Sequence, residues 1–499
     1  MRAPEGKRGR ARPATLSARL VRHATLEVGP GGENAICIDG HPIGLGKFKP
    51  DTAKRVQRLR MGLPLGSFES DGQIIDEEIH LLVRRLARRG LLEYRLGSAP
   101  DSADQVVIEP QVPDYWPQLP KVRDADVLVL SRFAYLRRRG NEMVLESPRA
   151  GALLRIHDPK IAAAIATLSA PQQVKRLRRR NGSQTLELLS LLMDCQILFK
   201  IDPVRDSGLR PTEGDSHLVF WDFHDLLFHA RSTEGRHANP SGGTFRYAGL
   251  ISPLPAVRPG WPGEKIDLRG YTGEGSEAIS PAAKLLRERR STRTFDSQQP
   301  ITLAELSKFL DGVARVQAQW SLKLEEFGDN GPVAEYAARP YPAAGAGYEI
   351  ELYLAVDKCE GLARGFYHYD AGEHALVAIV VRHQDLDAQL VGAQFAMGAP
   401  GLPQILITIA ARFGRISWKY SSLAYALILK DAGVLIQTLY LMATDMGLGA
   451  CAIGSVNIDL FAKMTGIDFH VEGPVGQFAI GRAAQSCPTT DAISSRKEP

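Results

Sequence analysis

The stretch Trp418–Val456, WKYSSLAYALILKDAGVLIQTLYLMATDMGLGACAIGSV, constrains this chain more than any other. Ser421–Met446 contains no proline and one glycine, and alanine and leucine dominate it. Apolar residues fall on nearly every face, the pattern of a helix buried all round. Such a helix would rise about 40 Å, enough to cross the centre of a domain. Lys430, Asp431, Gln437 and Asp445 interrupt the run, which argues against a membrane span. Gly447 and Gly449 break the helix, and CAIGSV reads as a short buried strand ending in a tight turn. Lys419 and Tyr420, an amine beside a phenol, stand at the mouth of the helix.

A chain of 499 residues holds more than one domain, and a net charge of +5 is modest for that length. Part of the charge belongs to the opening tail, where Arg2, Lys7, Arg8, Arg10 and Arg12 face one acid, Glu5. Such a run is a solvated tail before it is a nucleic-acid arm. No apolar signal segment follows it. The five cysteines form no CxxC pair and no metal spacing, so no metal site, no disulfide framework and a reducing, cytoplasmic setting are expected.

The expected organisation is a basic tail (1–16), two small winged-helix-like units (17–122 with its linker, and 123–215), an extended arm (216–279), an α+β domain (280–487) and a tail (488–499). In the first unit ATLEVG and AICIDG read as a hairpin, and EEIHLLVRRLARRGLLEYRLG as a helix running into a strand. A polar, proline-containing stretch, SAPDSADQ to PQVPDYWPQLP, reads as the linker. The second unit repeats the design: VLVLS and NEMVLESP as strands, SPRAGALLRI and DPKIAAAIATL as helices, QTLELLSLLMDCQILFKID as helix then strand. Its basic run KRLRRRN reads as a solvated face, with an acidic peptide or nucleic acid as the alternative. The Pro/Gly-rich PLPAVRPGWPGEK reads as an arm lying over another surface.

The last domain opens on Ser280 as N-cap with Pro281 behind it, and Thr302 with Glu305 forms a capping box. YEIELYLAV, GFYHYD, ALVAIVV, QILITIAA and GQFAIGR are strands. RERRSTRTF places four arginines at a helix C-terminus, suited to the helix dipole or to clamping a phosphate. RPYPAAGAGYE is a turn whose backbone can approach a flat or anionic ligand closely. No Walker loop, HExxH or GxSxG appears in this domain, and GAGYE lacks the context of a dinucleotide fingerprint.

Taken in order, RRSTRTF, PYPAAGAGYEIELYLAV, GFYHYDAGEHAL, the Lys-Tyr-headed helix with GLGACAIGSV, and AIGR resemble the nitroreductase-fold flavin oxidoreductases. Within them the chain is most similar to the SagB-type azoline dehydrogenases of thiazole/oxazole-modified peptide biosynthesis. The long N-terminal half, with two winged-helix-like, peptide-clamp-like domains, is similar to the cyanobactin oxidases. The resemblance implies an FMN enzyme and a homodimer with flavin at the subunit interface. By it, Arg289, Arg290 and Arg293 contact the FMN phosphate and ring edge with Ser291 beside them, and Arg482 lies at the phosphate. Pro342, Ala343, Ala344 and Gly345 cover the ring, Gly454 and Ser455 lie near it, and Gln437 matches a recurring helix glutamine. Ala343 departs from the serine often found in the family, which removes a side-chain hydroxyl there.

Aromatising a thiazoline or oxazoline removes two electrons and two protons, so a hydride acceptor and a base are required. The flavin supplies the first and the protein the second. Tyr420 as base with Lys419 as its activator is the preferred assignment, because an adjacent cation favours the phenolate. The expected partners are an azoline-containing precursor peptide and a cyclodehydratase of the same pathway, with no nucleic acid and no membrane. Two alternatives stay open: a general NAD(P)H-dependent nitro or quinone reductase, and a peptide-binding scaffold with a degenerate flavin site.

Overall fold

A computed structural model describes residues 15–484 apart from 29–32, 39–40, 71, 98–103, 182–184, 203–212, 214, 235, 237–241, 246, 259, 261 and 269–278. The basic tail, Cys487 and the C-terminal tail read from the sequence lie outside the described residues. The chain forms two compact units, Met1–Ala238 and Asn239–Pro499.

In the first unit, seven strands make one antiparallel sheet in the order Tyr135–Arg139, Glu142–Glu146, Ala152–Ile156, Val106–Pro110, Leu92–Gly97, Thr15–Leu20, Leu63–Pro64. Strands from both sequence repeats therefore share a sheet, and the boundary expected at 122/123 does not separate two bodies. The joining strand, Val106–Pro110, comes from the stretch read as a polar linker, yet Val106, Val107 and Ile108 are fully buried. Its partner Ala152–Ile156 was expected to be helical from SPRAGALLRI. All five of its residues are buried between two strands, and that environment overrides a helix-compatible sequence. Buried Arg155 crosses the join to pair with Glu93 of the first repeat, and its Nη1 lies 3.4 Å from Glu142.

Helix Glu77–Arg88 packs Ile79, Leu82, Val83 and Leu86 on this core, with Asp76 accepting the Ile79 N–H as its cap. The basic run forms helix Val174–Asn181. Of the expected arm, residues up to Ala238 belong to this unit. Helix Phe223–Arg231 buries Leu226 and His229, and Arg231 pairs with Glu146 at 3.2 Å. The described residues of 242–268 are exposed and carry no helix or strand.

The second unit is built on a six-stranded antiparallel sheet in the order Ala375–Ile379, Gly365–Asp370, Ile350–Val356, Ile405–Arg412, Glu472–Gly481, Gly449–Ile453. Alternation divides its side chains between two cores. Leu352, Leu354, Ile405, Ile407 and Phe478 meet helices Leu303–Ala314 and Ala424–Asp445 on one face. Tyr353, Ala355, Leu406 and Ala479 meet helices His383–Met397 and Ile458–Thr465 on the other. Both expected caps are present: Ser280 accepts the Ala283 N–H, and Thr302 with Glu305 closes a capping box.

The core helix Ala424–Asp445 differs from the sequence expectation in one respect. It buries Ile428, Asp431, Ala432, Leu435, Leu439 and Tyr440 but leaves a stripe of Ala426, Lys430, Gly433, Val434 and Gln437 exposed. By length and composition alone it could cross a membrane, yet its buried face packs on the sheet.

Candidate active site

The loop Pro342–Gly347 enters strand Ile350–Val356 through an unusual backbone. Gly345, Ala346 and Tyr348 have φ of 54°, 54° and 44°. For alanine and tyrosine that left-handed conformation is costly and must be held by its surroundings. The holders are specific: Ala344 N–H donates to Asp431 Oδ2 at 2.8 Å, and Arg415 Nε donates to the Gly347 carbonyl at 2.5 Å. Tyr348 Oη donates to the Tyr341 carbonyl at 2.8 Å.

Lys419 and Tyr420 follow the short helix Phe413–Ser417, and both of their N–H groups donate to the Ile416 carbonyl. This turn places the Lys419 amine 3.5 Å from the Gly345 carbonyl and over the rings of Tyr336 (5.5 Å) and Tyr420 (5.4 Å). A β-carbon added to Gly345 would collide with Tyr420 Oη and lie 2.7 Å from Lys419 Nζ. The loop and the Lys-Tyr pair, 75 residues apart in sequence, are thus in contact. A cavity of about 320 Å³ opens beside them, lined by Tyr336, Gly345, Gly347, Trp418 and Lys419 among others. Across Tyr336, a second space of about 350 Å³ is lined by Trp320, Arg339, Arg412 and Arg415.

The arginine segment meets the core helix farther along, at Tyr440. Tyr440 Oη lies 2.8 Å from Ser291 Oγ and accepts the Ala452 N–H at 2.8 Å, while Arg289 stacks over its ring at 5.0 Å. Among the described residues no carboxylate pairs with Arg289, Arg290 or Arg293. Three cations with no acid between them suit a dianionic phosphate. Arg482 differs: its Nη2 donates to both oxygens of Glu305 at 2.9 Å, so its guanidinium is already committed to a carboxylate.

Among the described residues no hydrogen bond or ring contact joins Gln437, Gly454 or Ser455 to these groups. Gln437 lies on the exposed stripe of the core helix, and Gly454–Ser455 follow strand Gly449–Ile453 in the next loop. GFYHYD, one of the motifs that carry the resemblance, packs in the sheet. Phe366 stacks on Tyr353 at 5.9 Å, and Tyr369 Oη meets His374 Nδ1 at 2.7 Å.

Several residues that shape the site carried no local signal. Asp431 stood out as an acid in an apolar helix, but its partner in the loop was not readable. Gln404 is buried and accepts the N–H groups of Ile301 and Arg482 at 2.9 Å. Its Nε2 donates to the Asp296 carbonyl at 2.6 Å, which ties the segment after the arginines to the sheet.

Comparisons with known proteins find similarity in both units. The nitroreductase family model matches residues 286–482. Those residues form a nitroreductase domain. The chain joins it to a cyanobactin oxidase region, since the model of the cyanobactin oxidase ThcOx matches residues 128–238. The nitroreductase-like protein MJ1384 of Methanocaldococcus jannaschii is 29% identical over 171 residues, covering 34% of this chain and 77% of that protein. Among solved structures, a nitroreductase-like protein of Ralstonia eutropha is 25% identical over 43% of this chain and 88% of its own, with a TM-score of 0.31. A chain of the Escherichia coli microcin synthetase McbBCD complex, with truncated pro-MccB17 bound, is 19% identical over 54% of this chain and 97% of its own, with a TM-score of 0.39. The nitroreductase domain is that of an oxidoreductase.

Proposed function

We propose that the protein is an FMN-dependent dehydrogenase that oxidises thiazoline or oxazoline rings of a ribosomally made peptide to thiazoles or oxazoles. The observation that carries this reading is the contact of Gly345 with Lys419 and Tyr420 at the edge of a cavity large enough for a five-membered ring. A general reductase needs only the flavin site; a base held against the ring-covering loop is what an azoline requires.

Arg289, Arg290 and Arg293, with Ser291, hold the FMN phosphate, and the backbone of Pro342, Ala343, Ala344 and Gly345 lies along the ring. FMN, when bound, supplies the hydride acceptor. Tyr420 Oη removes the proton from the ring carbon adjacent to the one that loses hydride. Lys419, whose amine lies over the Tyr420 ring, is the alternative base. Tyr336 walls this cavity, and Trp320, stacked on it at 5.9 Å, lines the second space beyond.

The reading includes a homodimer formed over the exposed Ala426–Val434 stripe, and a cyclodehydratase as the source of the azoline peptide. The test is the visible spectrum of the purified protein during anaerobic addition of a thiazoline peptide. A yellow protein that bleaches with peptide alone and recovers in air supports the reading. Bleaching only with NAD(P)H replaces it with a general reductase. A colourless protein that takes up no FMN leaves the scaffold.

A further inference from the structure

Behind the Pro342–Gly347 loop lies a polar group that the reaction above does not use. Glu349 is fully buried; its own backbone N–H lies within reach of its carboxyl group, but neither carboxyl oxygen completes a hydrogen bond of ordinary geometry. The side chain it faces is another carboxyl, Asp431 of the core helix. Two carboxylates offer only acceptors, so a hydrogen bond between them requires that one be protonated. The other oxygen of Asp431 is already occupied by the Ala344 N–H at 2.8 Å. Leaving both acids ionised here would bury like charges side by side, an arrangement that proteins avoid by retaining a proton.

The remaining charged neighbours do not neutralise the pair. Arg339, which lies within electrostatic reach, turns its Nη1 to the Ile350 carbonyl at 3.1 Å, and its Nε is buried without an acceptor. Tyr341 is buried with its hydroxyl unpartnered. Arg412 gives its backbone N–H to the Glu349 carbonyl, while its guanidinium lies 3.6 Å from Glu351. Glu351 is otherwise occupied by His368 at 3.3 Å.

We propose that Glu349 and Asp431 hold one proton between them and that this protonated pair fixes the Pro342–Gly347 loop, through Ala344, against Lys419 and Tyr420. Glu349 is then a positioning residue for the azoline chemistry, a role that rests on the function proposed above; the loop-holding itself does not.

The sign of the pH effect follows. Burial first, and then the Asp431 carboxyl, push Glu349 from its ordinary 4.5 up to about 7. Burial also raises Asp431, against the Ala344 hydrogen bond. A carboxyl raised in the folded state lends its full stabilisation below its ordinary value and loses it as pH rises through the folded value. The loop is therefore tightest below about pH 4.5 and loosens up to about pH 7.

The experiment is amide hydrogen exchange of the 340–348 segment, corrected for the intrinsic pH dependence, on full-length wild type, Glu349→Gln and Asp431→Asn from pH 5 to 8. In the wild type, loop opening should rise at least about tenfold over this range, since each unit of differential protonation is a factor of ten. Glu349→Gln, a neutral isostere that can donate permanently to Asp431, should stay protected with a flat profile. Asp431→Asn, which donates to an ionised Glu349, should move the midpoint downward. A Glu349→Gln protein that keeps the wild-type pH profile, or whose loop is open at every pH, overturns the proposal. So does a wild-type profile that is flat. None of these readouts needs flavin or peptide, so failure here and failure of the dehydrogenase reading are separable.

Discussion

Tyr440 Oη stands 2.8 Å from Ser291 Oγ and 2.8 Å from the Ala452 nitrogen, so one phenol joins the arginine segment, the core helix and the edge strand. Tyr440→Phe leaves a serine hydroxyl and a backbone N–H to find other partners. It should cost about 1–3 kcal/mol in stability, read by chemical denaturation, and weaken FMN binding as Ser291 loses its anchor, while Arg289 keeps a ring to stack on.

Arg290→Ala and Arg293→Ala remove cations that have no acid to leave behind. Each should weaken FMN binding roughly tenfold or more, as charge-assisted contacts do, with the apo-protein's melting temperature nearly unchanged. Flavin titration followed by fluorescence, with a melting curve beside it, checks both halves. A drop in apo stability without loss of flavin would make the cluster structural.

Lys419→Ala and Tyr420→Phe should each retain flavin and lose at least about 100-fold in azoline oxidation, the lower range for a positioned base. Single-turnover bleaching with a thiazoline peptide measures it. Wild-type turnover in either variant would remove that residue from the mechanism. Gly345→Ala should be as damaging for a steric reason, because its new carbon occupies the space of Tyr420 Oη and Lys419 Nζ.

In the first unit, Arg155→Ala leaves buried Glu93 with Arg19 as its remaining partner at the join of the two repeats. The loss should therefore stay below the about 3–5 kcal/mol of a fully stranded buried charge, and the variant should unfold at lower denaturant. Arg155→Lys should recover only part of the loss, since Arg155 also reaches Glu142.

The legible parts of this molecule were those with a local cause. The Ser280 and Thr302–Glu305 caps, the alternating strands and the Lys-Tyr pair at the head of an apolar helix are written within a few residues of where they act. Ala152–Ile156 was misread because its burial is decided by strands drawn from elsewhere in the chain. The exposed stripe of the core helix escaped notice because alanine, glycine and valine look alike whether buried or not. The pairings of Glu349 with Asp431, and of Arg482 with Glu305, join residues 82 and 177 positions apart, and no spacing rule announces them.

Asp431 fastens the Pro342–Gly347 loop and Tyr440 fastens the arginine segment, and both belong to one uninterrupted helix. Nine residues separate them, about 13 Å of axial rise. One inserted or deleted residue between them would swing Tyr440 about 100° around the axis, off Ser291. The outer side of this interval carries neither contact, but its length sets the distance between them. The helix is a gauge block: whatever bridges the two clusters must match a distance that evolution can alter only by rebuilding both ends at once.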